Sequence, residues 1–334
     1  MVVGRIGRWC AALALGLTSL GTAQAADADF KTSFDAVLGT EVRTPQAYDA
    51  VYRTPLEQTV ARIADGSDGR IGVYAVDLAS GREVSVLGDQ RFPMASTSKI
   101  AIAATFMEGV ERGRFTLTSE FPLMVPVASK RFSGSKAPVV AGKYFKAVDL
   151  IEMMITRSNN QATDGLLAAV GGPAAVNDWA RRNGIGEFNL TRDIATLVRD
   201  DGEIDPAARV DIRDSATPEA MVRLLTGLYQ GKFLSDSSRR VILGAMGRCR
   251  TGTHRMRAML PEGARVAHKT GTLNNTASDI GIINTPDGRA IAVAIYVTGQ
   301  GSHAARDAKI ASIARALYDG YAAQSARAYA SASY

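Results

Sequence analysis

FPMASTSKIAIAATF, residues 92–106, sets the reading of the whole chain. From Lys99 onward it reads as a buried helix, because Ile100, Ala101, Ile102, Ala103, Ala104 and Phe106 leave almost no polar face. A lysine at the mouth of such a helix must give up water, and a buried ammonium is costly unless it is paired or neutralised. Its place three residues after Ser96 supplies a reason. In a helix beginning near Ser96, residues i and i+3 share a face, which brings the Lys99 amine within reach of the Ser96 hydroxyl. A dry site depresses a lysine's pKa and makes a neutral amine available as a base. The helix N-terminus also stabilises negative charge forming beside the serine. An N-capping serine followed by a lysine that snorkels to water fits the same residues, so this stretch alone leaves both readings open.

Outward from this stretch the periodicity changes character. On its N-terminal side, a helix around 55–64 precedes RIGVYAVDL (70–78) and EVSVLG (83–88), which alternate as strands and turn through Ser80-Gly81, a hairpin. On its C-terminal side a helical period holds for about 150 residues, through VDLIEMMITRS (148–158), TDGLLAAV (163–170), AAVNDWARRNG (174–184) and TPEAMVRLLTGLYQG (217–231). The last has Thr217 as N-cap, Pro218 at the first helical position and Gly231 as its stop. Strands resume with ARVAHKTGT (264–272), SDIGIINT (278–285) and RAIAVAIYV (289–297), the last two joined through Pro286-Asp287-Gly288. A closing helix is expected at 303–320. RAIAVAIYV is apolar on both faces, as a central strand covered by helices on each side would be. The expected class is α/β (α+β): an antiparallel sheet of about five strands flanked by helices and interrupted by an all-helical subdomain, with a cleft between them. The α/β part would take 57–95 and 245–322, and the helical part 96–244.

The chain ends are read apart from this body. Arg5 and Arg8 precede the apolar AALALGLTSLG and the small-residue site Ala23-Gln24-Ala25, so 1–25 reads as a secretory signal peptide, too short for a membrane span. No lipobox-like Leu-x-Gly/Ala precedes Cys10, so no membrane anchor is expected. The main domain would cover 26–322, leaving 323–334 as a frayed tail. Loss of the signal removes two arginines and no acid, and the formal charge falls from +6 to +4. That mild excess, without a basic run, gives nucleic-acid binding little support. Cys249 is then the only cysteine, so no internal disulfide is expected. A catalytic thiol would want a histidine, and His254 is the one close in sequence. His254, His268 and His303 show no H-x-H or H-E-x-x-H spacing, which argues against a metal site, and no cofactor is expected. The picture is of an exported monomer acting on a small molecule.

Ser-x-x-Lys alone is a weak signal: Ser133-Gly134-Ser135-Lys136 also matches, in a polar stretch that reads as a solvated loop. Two further segments set Ser96 apart. Ser158-Asn159-Asn160 ends the apolar run LIEMMITR, where polar side chains can point into a cleft. Lys269-Thr270-Gly271-Thr272 lies in a strand candidate, where Gly271 would let a substrate backbone approach closely. With S-x-x-K, S-x-N and K-T-G in this order, the chain resembles the serine β-lactamase and penicillin-binding superfamily, and most of all the class A β-lactamases. The resemblance spans about residues 57–320. It includes ARVDIRDSATPEAM (208–221), similar to the family's R-D-T-T-T-P segment, and LPEGARVAHKTG (260–271), similar to its L-P-x-G…K-T-G approach.

The resemblance implies a periplasmic hydrolase of β-lactam amides, with Ser96 as the acylated nucleophile and Lys99 as its base. Ser158 would relay a proton to the leaving nitrogen, and Asn160 would bond the substrate's side-chain amide. Lys269 would hold positive potential, while Thr270 and Thr272 would bind the substrate carboxylate. The N–H groups of Ser96 and Thr272 would form an oxyanion hole. Arg255 is the candidate anchor for the carboxylate end. A D,D-peptidase and an acylated sensor domain share the same motifs and differ in how long the acyl-enzyme lasts.

The pattern departs from the family in three places. Class A enzymes carry R-x-E-x-x-L-N, whose glutamate activates the deacylating water. Read back without gaps from Arg213-Asp214, this chain gives RDDGEID (199–205), with Arg199 paired to Asp214, Asp201 on the glutamate, Ile204 on the leucine and Asp205 on the asparagine. Asp201 is one methylene short, Glu203 is an alternative base, and a loop without a catalytic carboxylate is the third possibility. The neutral Asn159 stands where the family often has an aspartate. SKRFSGSKAPVVAGKYF (129–145), with Lys146 just beyond, is a long basic rim segment that reads as surface loop.

Overall fold

A computed structural model describes residues 42–43, 52–65 and 68–332, and the side chains among them apart from those of 42, 43 and 324–332. The expected signal peptide lies outside these residues. The architecture below belongs to the unit that begins at Val42.

The first helix, α1 (Pro55–Ile63), is opened by a capping box in which Thr54 accepts from the Glu57 N–H and Glu57 reaches back to the Thr54 N–H. Then come β1 (Ile71–Asp77), β2 (Glu83–Val86), a 3₁₀ turn at Ala95–Ser98 and α2 (Lys99–Glu111). A hairpin of β3 (Glu120–Pro126) and β4 (Val139–Lys146) leads into α3 (Ala147–Thr156), α4 (Asn160–Val170), α5 (Pro173–Arg182) and the short α6 (Ile194–Arg199). After α7 (Pro218–Gln230) and α8 (Asp236–Gly247), the chain forms β5 (Arg265–Leu273), β6 (Thr276–Asn284), β7 (Ala290–Thr298) and α9 (His303–Ala332).

The sheet order is β5-β6-β7-β1-β2, all antiparallel. All nine residues of β7 are buried, and their alternation feeds two cores. Ile291, Val293, Ile295 and Val297 pack with α1 and α9 residues such as Val60, Ile310 and Leu317. Ala292, Ala294 and Tyr296 face the larger core built around α2, α3, α4, α7 and Trp179. A strand covered on both faces is apolar throughout, as its sequence is. α2 is its helical counterpart, buried at every position from Lys99 to Met107, as expected of a helix at the centre of a bundle.

The class read from sequence stands, with two corrections. The interruption is not all-helical, because β3 and β4 form a hairpin that lies against α4 and the larger core through Phe121, Leu123 and Phe145 and leaves Val140 and Tyr144 more than half exposed. A strand pair with both faces partly in water lacks the alternation that marks strands in a sequence. The tail is not frayed over 323–332, since α9 continues to Ala332 through the alanine-rich AAQSARAYASA, which has high helix propensity.

The edge strand β5 positions the site. On its open side one row of backbone groups is left outside the ladder, and the 3₁₀ turn carrying Ser96 packs against it.

Candidate active site

Ser96 sits in the turn between Phe92–Pro93 and α2. Ala95, just before it, has φ +48°, a left-handed conformation that is strained for any residue with a Cβ. The strain is held from several sides. Met94 N–H donates to Asp214 O at 2.9 Å, and Thr97 Oγ1 lies 3.0 Å from the hydroxyl of the buried Tyr296 on β7. From β5, Gly271 packs against the turn so closely that a Cβ there would lie 2.8 Å from Met94 O and 3.1 Å from Ala95 Cβ. Gly271 therefore admits the protein's own turn at Ala95–Ser98, where the sequence suggested a substrate backbone.

Lys99 is fully buried, the first residue of α2. Its Nζ donates to Ser158 O at 2.9 Å, Ser158 Oγ at 3.2 Å and Asn160 Oδ1 at 2.7 Å. The direct bond to Ser96 expected from the i, i+3 spacing is not among these. The turn at 95–98 is 3₁₀, and the amine extends to the end of α3 instead. Lys269, equally buried, reaches Ser158 from β5, donating to Ser158 Oγ at 3.0 Å and Thr270 O at 2.9 Å. One hydroxyl thus accepts from both lysines. Ser158 takes φ +55° to present it, on a three-residue link between α3 and α4 in which Asn159 caps α4 by accepting from Ala162 N–H.

Burial holds Lys99 well below the ordinary lysine range, the nearby Lys269 charge adds to this, and Asp164 opposes it. Burial likewise pulls Lys269 down to about 8, against the charges of Cys249 and Asp279. Two amines in a dry site facing one hydroxyl cannot both hold a proton cheaply, so one of them is poised to be neutral. Asn160 turns its carbonyl end to Lys99.

Arg255, 3 % exposed, donates from Nε to Asp307, from Nη1 to Gly271 O and Ser278 O, and from Nη2 to Thr272 Oγ1 at 2.8 Å and His303 Nε2 at 3.3 Å. All five of its donors are engaged. It therefore has no free fork of its own to offer. Thr270 Oγ1 is 2.6 Å from Thr251 Oγ1.

The loop between α6 and α7 corrects the register read from sequence. Asp214, 2 % exposed with φ +49°, pairs with Arg192, its Oδ2 accepting from Nε at 2.6 Å, and takes the N–H groups of Thr191 and Arg192 on Oδ1. Arg199 pairs with its neighbour Asp200 instead and also donates to Gly134 O in the rim segment. With the signature arginine at Arg192, the R-x-E-x-x-L-N frame places Ile194 on the glutamate, Leu197 on the leucine and Val198 on the asparagine. Ile194 is 2 % exposed, and its N–H and that of Ala195 donate to the buried Asp164 carboxylate at 2.7 and 2.8 Å. Burial raises Asp164 to about 6, with these two bonds opposing.

The other loop carboxylates face elsewhere. Asp201 accepts from Asn274 N–H at 2.9 Å, Glu203 pairs with Arg213, and Asp205 accepts from Asn275 Nδ2. A small recess beneath this loop, about 50 Å³ in volume and lined by Arg192, Asp201, Glu203, Leu273 and Asn274 among others, includes neither Ser96 nor either lysine. The second Ser-x-x-Lys, Ser133 to Lys136, is exposed throughout. The rim segment is nonetheless docked, since Ala137 N–H donates to Thr196 Oγ1 and Phe132 N–H to Asp200.

Of the residues singled out in the sequence, Lys99, Ser158, Asn160 and Lys269 form one hydrogen-bonded group, with Ser96 in the turn that leads into α2. Sequence reasoning missed Arg192 and Asp164. The five-residue step from Arg192 to Leu197 was a usable signal, hidden by the assumption of a loop without insertion. Among the described residues no group of histidine, cysteine or acidic side chains is arranged to hold a metal ion, and no helix is long and apolar enough to cross a membrane.

A family model described as the β-lactamase enzyme family matches residues 55–321. The β-lactamase CARB-3 of Pseudomonas aeruginosa is 30% identical over 275 residues, covering 81% of this chain and 91% of that protein. A variant of the last common ancestor of Gram-negative class A β-lactamases superposes with a TM-score of 0.69 at 34% identity, over 81% of this chain and 100% of the other. A mutant of PBP-A, solved as an acyl-enzyme complex with penicillin G, gives 0.67 at 26% identity, over 80% and 96%.

Proposed function

Since the chain belongs to the β-lactamase enzyme family, we propose that it is a serine hydrolase that opens β-lactam amides through an acyl-enzyme on Ser96. The observation that carries this reading is the Ser158 hydroxyl held between Lys99 and Lys269, 3.2 and 3.0 Å from their amines, beside the strained turn that presents Ser96. In the acylation step the neutral Lys99 amine takes the Ser96 proton as Oγ attacks the amide carbon. Hydrogen bonds that are long in an empty site tighten when substrate arrives. The oxyanion is received by the N–H groups of Ser96 and Thr272, each worth about 3 kcal/mol. As the C–N bond breaks, the Ser158 hydroxyl gives its proton to the departing nitrogen and is reprotonated from Lys99. Lys269, Thr270 and Thr272, the last braced by Arg255, receive the substrate's carboxylate, and Asn160 donates to its side-chain amide. The leader at 1–25 sends the protein to the periplasm, where it works as a monomer.

A second reading differs only after acylation. Ile194, in the place of the signature glutamate, favours a penicillin-binding D,D-peptidase whose β-lactam adduct is long-lived, whereas the first reading requires another group to activate the deacylating water. Incubation with a chromogenic cephalosporin and a fluorescent penicillin separates them. Steady turnover supports hydrolysis, and its survival or loss in Asp201→Asn tells whether that carboxylate takes part in deacylation. A stoichiometric burst with a persistent label, together with cleavage of D-Ala-D-Ala peptides, supports the second. Absence of labelling by either compound contradicts both.

A further inference from the structure

Behind β5 lies a chain of polar groups to which acyl transfer assigns no task. Cys249, two residues beyond α8, is 3 % exposed, and its Sγ is 3.3 Å from Thr251 Oγ1. That hydroxyl is in turn 2.6 Å from Thr270 Oγ1. On the other side of the sulfur is His268, 1 % exposed, whose Nδ1 is 2.8 Å from Asp279 Oδ1. Its Nε2 is buried and has no hydrogen bond of standard geometry among the described residues, and the Cys249 sulfur is the polar group with which it interacts. His268, not His254, is thus the thiol's histidine. Gly252, at φ +69°, keeps the intervening connection tight against the Thr270 methyl group.

A contact of 2.6 Å between two hydroxyls contains one hydrogen, so one of the pair donates and the other accepts. The sulfur decides which. As a thiol it donates to the Thr251 hydroxyl, the nearer of its two acceptors at 3.3 Å against 3.8 Å for the Thr251 carbonyl, Thr251 donates to Thr270, and the Thr270 O–H is left to donate outward. As a thiolate it accepts from Thr251, Thr251 then accepts from Thr270, and Thr270 meets an incoming carboxylate with lone pairs only. We propose that Asp279, His268, Cys249 and Thr251 form a buried relay that sets the direction of the Thr270 hydroxyl, making Cys249 a positioning residue for the substrate's anionic group. This rests on the assignment of Thr270 to that anion above.

The charged groups packed around the thiol are His268 and Lys269 from β5, Asp279 from β6, and Arg257, which donates to the Cys249 carbonyl at 3.2 Å. Burial pushes the thiol up, but the His268 hydrogen bond and charge outweigh it and, with Thr251 and Lys269, bring it to about 7. Burial pulls His268 down, but the Asp279 charge and hydrogen bond lead its rise to about 10. The sulfur therefore changes charge near neutral pH beside an imidazolium that keeps its own.

The test compares acylation rates for a penicillin and its methyl ester as pH rises through neutrality. In the wild type the preference for the acid falls by about fivefold, the worth of one hydrogen bond. Cys249→Ser, whose hydroxyl does not ionise in this range, keeps the low-pH preference, and only the later loss of the Lys269 charge remains. Thr251→Val, which leaves the thiol in place but cuts the relay, frees the Thr270 hydroxyl to donate outward at every pH and so abolishes the step that follows the thiol, leaving again only the later loss of the Lys269 charge. A Cys249→Ser protein with the wild-type pH dependence overturns the proposal, as does a wild-type preference that does not vary with pH while labelling proceeds. If the wild type is labelled by neither compound, the acyl-enzyme reading itself fails and the relay's role falls with it.

Discussion

Replacing Ser158 by alanine removes the one hydroxyl that both buried lysines touch. Lys99 keeps Ser158 O at 2.9 Å and Asn160 Oδ1 at 2.7 Å, and Lys269 keeps Thr270 O at 2.9 Å. Both amines therefore stay hydrogen-bonded, and alanine keeps the Cβ that Ser158 already carries at φ +55°, so backbone strain hardly changes. The fold should stand while proton transfer to the leaving nitrogen is lost. A positioned proton donor contributes about 10²- to 10⁴-fold, or about 3–5 kcal/mol of barrier at about 1.4 kcal/mol per decade. Single-turnover labelling with a fluorescent penicillin, alongside a thermal melt, measures both parts. The account expects labelling slowed by at least about a hundredfold at nearly unchanged melting temperature. Labelling at the wild-type rate would refute the assignment of Ser158 and the reasoning from its two contacts.

Four other outcomes follow from the same geometry. Ile194→Glu should speed loss of the penicillin label by about 10²-fold by supplying a general base where the frame set by Arg192 requires one; an unchanged label lifetime would reject that frame. Arg192→Ala should cost about 3 kcal/mol in chemical denaturation, because it leaves the Asp214 charge buried without its partner, and more than Arg199→Ala costs; the reverse order would restore the register read from sequence. Gly271→Ala should slow labelling far more than it lowers stability, since its Cβ would press on Met94 O and Ala95 beside the nucleophile; wild-type labelling would contradict the tight packing seen there. His268 holds its proton up to about 10 in the folded state against an ordinary 6.5, so its stabilisation is present below about 6.5 and is lost as pH rises through about 10. His268→Asn should flatten that alkaline slope in denaturation titrations, and a slope that survives would assign it to another group.

How far the sequence revealed this depends on where each signal was local. The strands 264–272, 278–285 and 289–297 and the helix after Thr217 were readable because burial on one or two faces imposes a period, and caps mark their ends. The β3–β4 hairpin escaped because its strands are only partly buried and show no regular alternation. In the site, Ser96 and Lys99 were legible from a charge set in an apolar helix, and Lys269 from its strand. What was not legible is partnership across the chain. The choice of Arg192 over Arg199 for Asp214, of Ser158 over Ser96 for Lys99, and of His268 over His254 for Cys249 was settled by packing between distant segments.

At the centre of the account stands a covalent bond between a ring-opened β-lactam and the side chain of residue 96. Intact-protein mass spectrometry after brief exposure to a penicillin, followed by peptide mapping, tests it directly. The account predicts one adduct per chain carrying the whole mass of the penicillin, located on the peptide that holds Ser96 and absent from Ser96→Ala. An adduct that survives Ser96→Ala, or one that maps to Ser133 or another residue, would contradict it.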